Sequence, residues 1–338
     1  MIRFALLGCG RIGKMHAANL STHPDACLAR VYDIHEPSAR EVGDRLGVEV
    51  AASPEEIFES AEVDAVLVAT ATETHADSIE RAVAAGKPVL CEKPIDLSLA
   101  RVEECARRIA GSRVPVQLGF NRRFDPGHRG ARDSLRAGAI GELHQVIVTS
   151  RDPHMPPRAY YEQAGGLFRD MTIHDFDLLR FFLGEEPVEV FATAGRLIDP
   201  PLMEELDDHD TAMIFLRTAS GVQCHINNSR TAVYGSDQRV ELLGTEGMLQ
   251  SANRRPHEVR LSTATQTEAA APYEYFFLER YEEAFREEIS AFVRAIAEGT
   301  PPEVGFEDGH RALLLAETAY RSLREGRRVR VEEVGTVG

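Results

Sequence analysis

The stretch that most constrains this chain is residues 1–13. Ile2-Arg3-Phe4-Ala5-Leu6-Leu7 is an apolar run of strand length, and it ends in Gly8-Cys9-Gly10-Arg11-Ile12-Gly13 before a helical stretch over 14–20. A strand, a tight glycine turn and a helix start in that order form the phosphate-binding corner of a dinucleotide-binding unit. Glycine lets the chain turn sharply, brings the backbone close to a pyrophosphate and packs the new helix against the strand, while the helix N-terminus offers free N–H groups to the phosphates. Glycines also mark ordinary turns. What distinguishes this one is a second apolar run, Cys27-Leu28-Ala29-Arg30-Val31-Tyr32, ending in Asp33. An acid about 20 residues past the last glycine is placed for the ribose hydroxyls. Asp33 favours NAD over NADP, because its carboxylate would repel a 2′-phosphate and the neighbouring Ile34 supplies no cation. Arg11 and Arg40 are the residues that could reverse this preference.

Strand and helix keep alternating after Asp33. Residues 37–46 read as a helix, and Ser53-Pro54-Glu55-Glu56 supplies a cap, a proline at the first helical position and a capping-box glutamate for the next. Ala65-Val66-Leu67-Val68-Ala69 has the unbroken apolar pattern of a strand buried on both faces of a parallel sheet. It opens into the polar loop Thr70-Ala71-Thr72-Glu73-Thr74-His75, at the carboxyl end of a strand, where open α/β sheets bind ligands. A helix over 76–85 stops at Gly86, Pro88-Val89-Leu90-Cys91 leads into Glu92-Lys93-Pro94, and a helix over 98–110 precedes a strand over 114–119. The expectation is an α/β Rossmann domain over residues 1–120. Its candidate cofactor-binding residues are Gly8, Gly10, Arg11, Ile12, Gly13, Asp33, Thr70, Thr72, His75, Glu92 and Lys93.

Past Phe120 the pattern changes. Helical stretches over 126–137 and 166–183 interrupt strands at 145–150, 188–196, 211–216, 222–227, 239–243 and 259–261, and Leu243-Gly244-Thr245-Glu246-Gly247-Met248 reads as a hairpin turn. Strands in succession predict a largely antiparallel open sheet, so residues 121–338 form a second, α+β domain. Two late helices, over 281–298 and 310–325, are separated by Gly299-Thr300-Pro301-Pro302, and 264–272 reads as an exposed loop.

A length of 338 residues suits two such domains. The formal charge of −16 argues against nucleic acid or an anionic membrane as the main partner. Five cysteines, Cys9, Cys27, Cys91, Cys105 and Cys224, are odd in number and contain no Cys-x-x-Cys pair. Neither a disulfide framework nor a zinc site is indicated, and a reducing cytoplasm is the expected location. No apolar run is long enough to span a bilayer, and the N-terminus enters a strand without the order of a secretion signal.

Two places carry chemistry. Lys93 follows a strand of the nucleotide domain, where the nicotinamide would lie; a solvated surface lysine is the plain alternative. In Gly166-Leu167-Phe168-Arg169-Asp170-Met171-Thr172-Ile173-His174-Asp175-Phe176-Asp177, one continuous helix would put Asp170, His174 and Asp177 at i, i+4 and i+7, on one face. A histidine there can take a proton near neutral pH, and a carboxylate one turn away can orient it and stabilise its charged form. The plain alternative is a hydrogen-bonded histidine among solvated acids. A metal is not indicated, since this helix supplies two ligands at most.

Gly8-Cys9-Gly10-Arg11-Ile12-Gly13, Glu92-Lys93-Pro94 and Asp170-Met171-Thr172-Ile173-His174-Asp175 together resemble the glucose-fructose oxidoreductase / inositol dehydrogenase / rhizopine catabolism family over essentially the whole chain. Ser150-Arg151-Asp152-Pro153, His225-Ile226-Asn227-Asn228-Ser229-Arg230 and Phe277-Leu278-Glu279-Arg280-Tyr281 are most similar to its inositol 2-dehydrogenases. The resemblance implies NAD-dependent oxidation of a cyclic polyol, with myo-inositol giving 2-keto-myo-inositol. Lys93, Asp170 and His174 match the catalytic residues, His174 as general base. Lys93, Arg123, His154, Asp170, His174, Asp177 and Tyr234 are the implied substrate contacts. Tyr234-Gly235-Ser236-Asp237 departs from the family's Tyr-Gly-Tyr-Asp at Ser236, which bears on the choice of polyol. The resemblance also implies a second domain for substrate binding and oligomerisation, in a homodimer or homotetramer. Another inositol isomer, an aldose, or a non-catalytic nucleotide-binding regulator of the same fold are the alternatives.

Overall fold

The computed structural model describes residues 1–335, which form two compact units: 1–121 with 284–313, and 122–283 with the residues from 314 on. In the first unit, strands β1 (Ile2–Leu7), β2 (Ala26–Tyr32), β3 (Glu49–Val50), β4 (Ala65–Val68), β5 (Val89–Cys91) and β6 (Val116–Leu118) alternate with helices α1 (Arg11–Ser21), α2 (Glu36–Leu46), α3 (Pro54–Glu59), α4 (His75–Ala84) and α5 (Leu99–Ile109). The strands lie in the order β3-β2-β1-β4-β5-β6, every pair parallel. This is the doubly wound order whose reversal beside β1 opens a ligand crevice at the carboxyl edge. β4 is buried at every residue, as its apolar run requires. The caps fall where the sequence puts them: Ser53 Oγ accepts the Glu56 N–H at 3.4 Å, and Glu56 Oε2 accepts the N–H of Ala52 at 2.9 Å.

Register fixes what this edge presents. Tyr32, Leu7, Val68, Cys91 and Leu118 pair across the sheet in one row. The residues that follow them, Asp33, Gly8, Ala69, Glu92 and Gly119, therefore leave the sheet side by side.

The second unit contains α6 (Pro126–Arg136), β7 (Leu143–Arg151), α7 (Arg158–Ala164), α8 (Leu167–Asp170), α9 (Thr172–Leu183), β8 (Pro187–Gly195), α10 (Pro200–Glu205), β9 (Thr211–Thr218), β10 (Gln223–Ser229), β11 (Asp237–Gly244), β12 (Met248–Ser251), β13 (Arg260–Leu261), β14 (Ala269–Ala270) and α11 (Phe277–Arg280). Its main sheet runs β12-β11-β7-β10-β9-β8 and ends on a strand contributed later in the chain. All pairs are antiparallel except the central β7–β10, which is parallel. A parallel pair needs a crossover, and the chain between these two strands carries α7, α8 and α9.

Three expectations are corrected. The helix expected over 166–183 is two helices meeting at Met171, where the His174 N–H reaches the Met171 carbonyl at 3.3 Å in place of a four-residue step. Thr172 marks the break: its hydroxyl lies 2.6 Å from Asn228 Oδ1 and 3.4 Å from the Leu167 carbonyl, an alternative to continuing the helical ladder. The strand expected at 259–261 is only β13, which pairs in a separate two-stranded ribbon with β14, a strand within the stretch 264–272 expected as an exposed loop. Finally, α12 (Glu282–Glu298) and the first part of α13 (Phe306–Glu325) pack with the first unit from residue 284 to 313, not with the second. The stripe Ile289, Phe292 and Val293 joins the core of Phe4, Leu6, Val31 and Leu67, and this burial outweighs proximity along the chain. The chain then closes the second sheet with β15 (Val329–Arg330) beside β8.

Candidate functional site

At the first unit's carboxyl edge the three glycines play three different parts. Gly8 has φ +93°, and a Cβ there would lie 2.3 Å from the Ala69 carbonyl oxygen. A Cβ on Gly13 would lie 1.9 Å from the Gly8 carbonyl oxygen, so only glycine lets α1 pack this close to β1. Gly10, the residue before α1, is different: a Cβ there meets nothing within 4 Å. The turn leaves open space at Gly10, at the N-terminus of α1, where a helix end can cradle a pyrophosphate.

Asp33 braces this turn. Its Oδ2 accepts the Cys9 N–H at 2.6 Å and its Oδ1 the His35 N–H at 2.7 Å. Burial, and then the Asp33 charge, push the Cys9 thiol up to about 12, so it stays protonated. Arg40 is engaged by Glu36 at 2.5 Å, and Ile34 is 92% exposed. The residues fit NAD: an acid follows β2, and Arg40 of α2 is taken up by Glu36.

The loops beyond β4 and β5 are tied by His75. The fully buried imidazole puts Nδ1 2.7 Å from the Pro94 carbonyl and Nε2 3.1 Å from the Thr70 carbonyl, and burial lowers its pKa. Thr70 Oγ1 meets Thr74 Oγ1 at 2.7 Å, and Thr72 is half-buried in the turn before α4. Lys93 is half-buried just past β5, joined to Pro94 by a cis peptide. His75 is thus a brace between the Thr70 and Lys93 loops. Glu92, the residue before Lys93, accepts from His16 Nε2 at 2.8 Å.

In the second unit, α9 carries His174. From Met171 to Leu179 every residue but His174 is buried. The helix is held through two of its acids. Asp175 Oδ1 accepts from Arg122 at 2.5 Å and Oδ2 from Asn228 Nδ2 at 2.8 Å, with burial raising its carboxyl pKa against the pull of Arg122. Asp177 Oδ2 and Oδ1 accept from Arg123 Nε at 2.8 Å and Nη2 at 2.5 Å in a buried two-pronged pair. Asp170, at the end of α8, accepts from the Tyr160 hydroxyl at 2.7 Å and from Arg230 Nη2 at 2.8 Å. Arg230 also reaches Asp152 at 3.3 Å.

The remaining expected contacts sit apart from this cluster of bonds. His154 is exposed, stacked on Tyr275 and Phe276, with Nδ1 3.2 Å from the Tyr275 hydroxyl. The Tyr234 hydroxyl donates to Asp237 at 2.8 Å and accepts from Arg151 at 2.9 Å. Ser236 is 1% exposed, and its hydroxyl has no hydrogen-bond partner among the described residues. Sequence reasoning gave no role to Tyr160, Asp152, Arg230, His16 or Glu288. The signal for Arg230 was a cation closing an otherwise apolar and neutral strand. That for Glu288 was an acid inside the apolar stripe of α12.

Residues 2–120 match the oxidoreductase family with an NAD-binding Rossmann fold, and residues 128–250 match the GFO/IDH/MocA C-terminal domain. An inositol 2-dehydrogenase of Rhizobium meliloti is 44% identical over 98% of this chain and 99% of its own. A myo-inositol 2-dehydrogenase of Thermotoga maritima is 43% identical over 98% and 99%. A scyllo-inositol dehydrogenase from Lactobacillus casei, solved with bound NAD(H) and scyllo-inositol, is similar at a TM-score of 0.91 and 30% identity, covering 98% of this chain and 99% of that one.

Proposed function

The chain belongs to the GFO/IDH/MocA family of NAD-binding oxidoreductases, and from that premise we propose that it oxidises a secondary alcohol of an inositol, myo-inositol giving 2-keto-myo-inositol. The observation that carries this reading is full-length likeness to two inositol 2-dehydrogenases in a chain that has Lys93, Asp170 and His174 together.

NAD, held by the glycine turn and Asp33, supplies the hydride acceptor. His174 takes the hydroxyl proton at Nε2, its Nδ1 being buried. Asp170, paired with Arg230 at 2.8 Å, offsets the positive charge that His174 acquires. Lys93 favours the developing alkoxide and lowers the cost of losing the proton. Arg123 and Asp177 fix each other, and each carboxylate oxygen of Asp177 can accept a second hydrogen bond, here from a polyol hydroxyl. Tyr234 and His154 are the outer contacts.

The test is the initial rate of NADH formation with myo-, scyllo- and chiro-inositol, glucose and xylose, repeated with NADP. Preference for myo-inositol with NAD is the expected result. Ser236 favours one second reading, another inositol isomer, because a buried serine cannot supply the hydroxyl that tyrosine offers at this place. Absence of turnover from folded protein that binds NAD would leave the regulator reading standing.

No helix among the described residues is long and apolar enough to cross a membrane. All five cysteines are free, which suits a reducing cytoplasm. The second sheet's outer face exposes Phe191 and Phe215, paired across β8 and β9, with Met213 two residues before Phe215 on β9, and a face of this kind suits a homodimer or homotetramer. Light scattering on the purified protein tests this, a monomer being the contrary result.

A further inference from the structure

The first unit buries an acid that the cofactor cradle does not explain. Glu288 lies on α12 in the stripe Phe285, Glu288, Ile289 and Phe292. It is 0% exposed, and neither carboxylate oxygen has a hydrogen-bond partner among the described residues. Facing it are His16 from α1, also fully buried, and Glu92 from the end of β5. One nitrogen or oxygen from each of the three lies within 4.8 Å of those of the other two. His16 Nε2 is 2.8 Å from Glu92 Oε1, its ring edge-on to Phe285, and Glu92 Oε2 is so close to Gly119 that a Cβ there would meet it at 2.8 Å.

Two adjacent carboxylates, one of them wholly buried, disfavour ionising together. Glu92 has a donor in His16 and some access to water; Glu288 has neither. Burial, and then the Glu92 charge, hold the Glu288 carboxyl well above the usual carboxylate range. We propose that His16, Glu92 and Glu288 form a buried triad in which Glu288 is kept as the neutral acid, turns its O–H toward the Glu92 carboxylate, and so positions Glu92 and the Lys93 that follows it. The triad ties the helix of the glycine turn, the end of β5 and α12 together. Among the described residues the titratable groups facing Glu288 are His16 and Glu92, and the charge that acts on Glu288 is that of Glu92. Only the catalytic consequence, through Lys93, rests on the proposed dehydrogenase function.

The experiment compares E288Q, E288A and H16N with the unsubstituted protein by thermal unfolding from pH 5 to 9, and by kcat with NAD and inositol. An acid that is neutral when folded loses stability relative to the unfolded chain as pH rises above the ordinary glutamate value. E288Q cannot ionise, so its Tm advantage should widen steadily with pH. E288A should lower kcat about tenfold with little change in KM, E288Q should restore most of that loss, and H16N should resemble E288A. A Tm difference that is flat with pH, or E288Q and E288A equally impaired, overturns the triad. So does a stoichiometric divalent cation found in the purified protein by elemental analysis, since a metal would hold all three residues ionised or neutral without the shared proton. If the pH-dependent Tm difference appears but no inositol turns over, the triad stands and the substrate assignment fails. If E288A and H16N do not fold, the E288Q stability profile alone decides.

Discussion

Arg230 donates to Asp170 at 2.8 Å while its other arm reaches Asp152 at 3.3 Å, with only 3% of its side chain exposed. Its charge is therefore shared between Asp170, whose side chain is 8% exposed, and the half-buried Asp152; burial raises the Asp152 carboxyl, and Arg230 is the leading influence pulling it back. Breaking such a pair from one side leaves the other side buried and unpaired. Arg230→Gln should cost about 3–5 kcal/mol in urea unfolding and lower kcat by about tenfold or more, with the affinity for NAD unchanged. Arg230→Lys should recover only part of either loss, because an ammonium cannot fork between two carboxylates. Unchanged kcat in both variants would separate Asp170 from the chemistry.

Gly10 and Gly13 should fail in opposite ways. A Cβ at Gly13 strikes backbone 1.9 Å away, so Gly13→Ala should destabilise the first unit by about 2 kcal/mol or more and weaken NAD binding as a consequence. A Cβ at Gly10 meets nothing, so Gly10→Ala should unfold at the same temperature as the parent and still bind NAD about tenfold more weakly, because the methyl stands where the pyrophosphate approaches. Thermal unfolding and calorimetric titration with NAD, run on both variants, check this contrast.

Asp33 supports the turn by accepting from both Cys9 and His35, and the proposed function also makes it the residue that selects NAD. Asp33→Ser should relax the preference for NAD over NADP and cost about 1 kcal/mol of stability for the lost amide contacts. Asp33→Asn keeps an acceptor in place and should hold more of the stability while relaxing selectivity as well. The measurement is the ratio of kcat/KM for the two cofactors in each variant; an unchanged ratio would put selectivity elsewhere, with Arg11 the first residue to test.

What could be read from the chain alone divides along physical lines. The glycine turn, the Ser53 cap, the β4 run and the acid after β2 are local signals: each needs only its neighbours in sequence, and each appears where it was expected. The β11–β12 hairpin, closing Leu243 on Met248, is of the same kind. The break at Met171 was not legible, because it depends on Asn228, a strand residue far along the chain. Nor was the parallel pairing of β7 with β10, which no local pattern distinguishes from antiparallel pairing. The site divides likewise. His174 stands out by type, while the helical spacing expected to join it to Asp170 is broken at Met171, and Arg230 and Tyr160 are identified only by meeting Asp170 in space. Glu288 is the inverse case: an acid within an apolar helical stripe says little by itself, and only burial against Glu92 gives it meaning.

His128 sets an acid limit on the second unit. It sits in the first turns of α6, fully buried between the rings of Phe182 and Tyr281, and neither ring nitrogen has a hydrogen bond among the described residues. Asp125 Oδ1 is 3.9 Å from Nδ1 and favours the charged form, but burial prevails, helped by Arg280, Arg122 and Arg254, and lowers the imidazole pKa to about 3. A base whose folded pKa is depressed contributes stability that is whole above its unfolded value and is lost as pH falls toward the folded one. The unfolded chain begins to bind this proton near pH 6.5, and the native state resists until about pH 3. Across that window His128 should remove about 1.4 kcal/mol per pH unit at most, one proton's worth. Asp125 acts in the opposite sense to its own burial, its carboxyl being held below the usual range with Arg280 at 2.6 Å. His128→Leu, close in size and unable to take a proton, should flatten the slope of unfolding free energy between pH 6 and pH 4 by about one proton. Urea unfolding at a series of pH values measures that slope directly; parallel curves for parent and variant would mean that His128 takes up its proton in the folded state as readily as in the unfolded one.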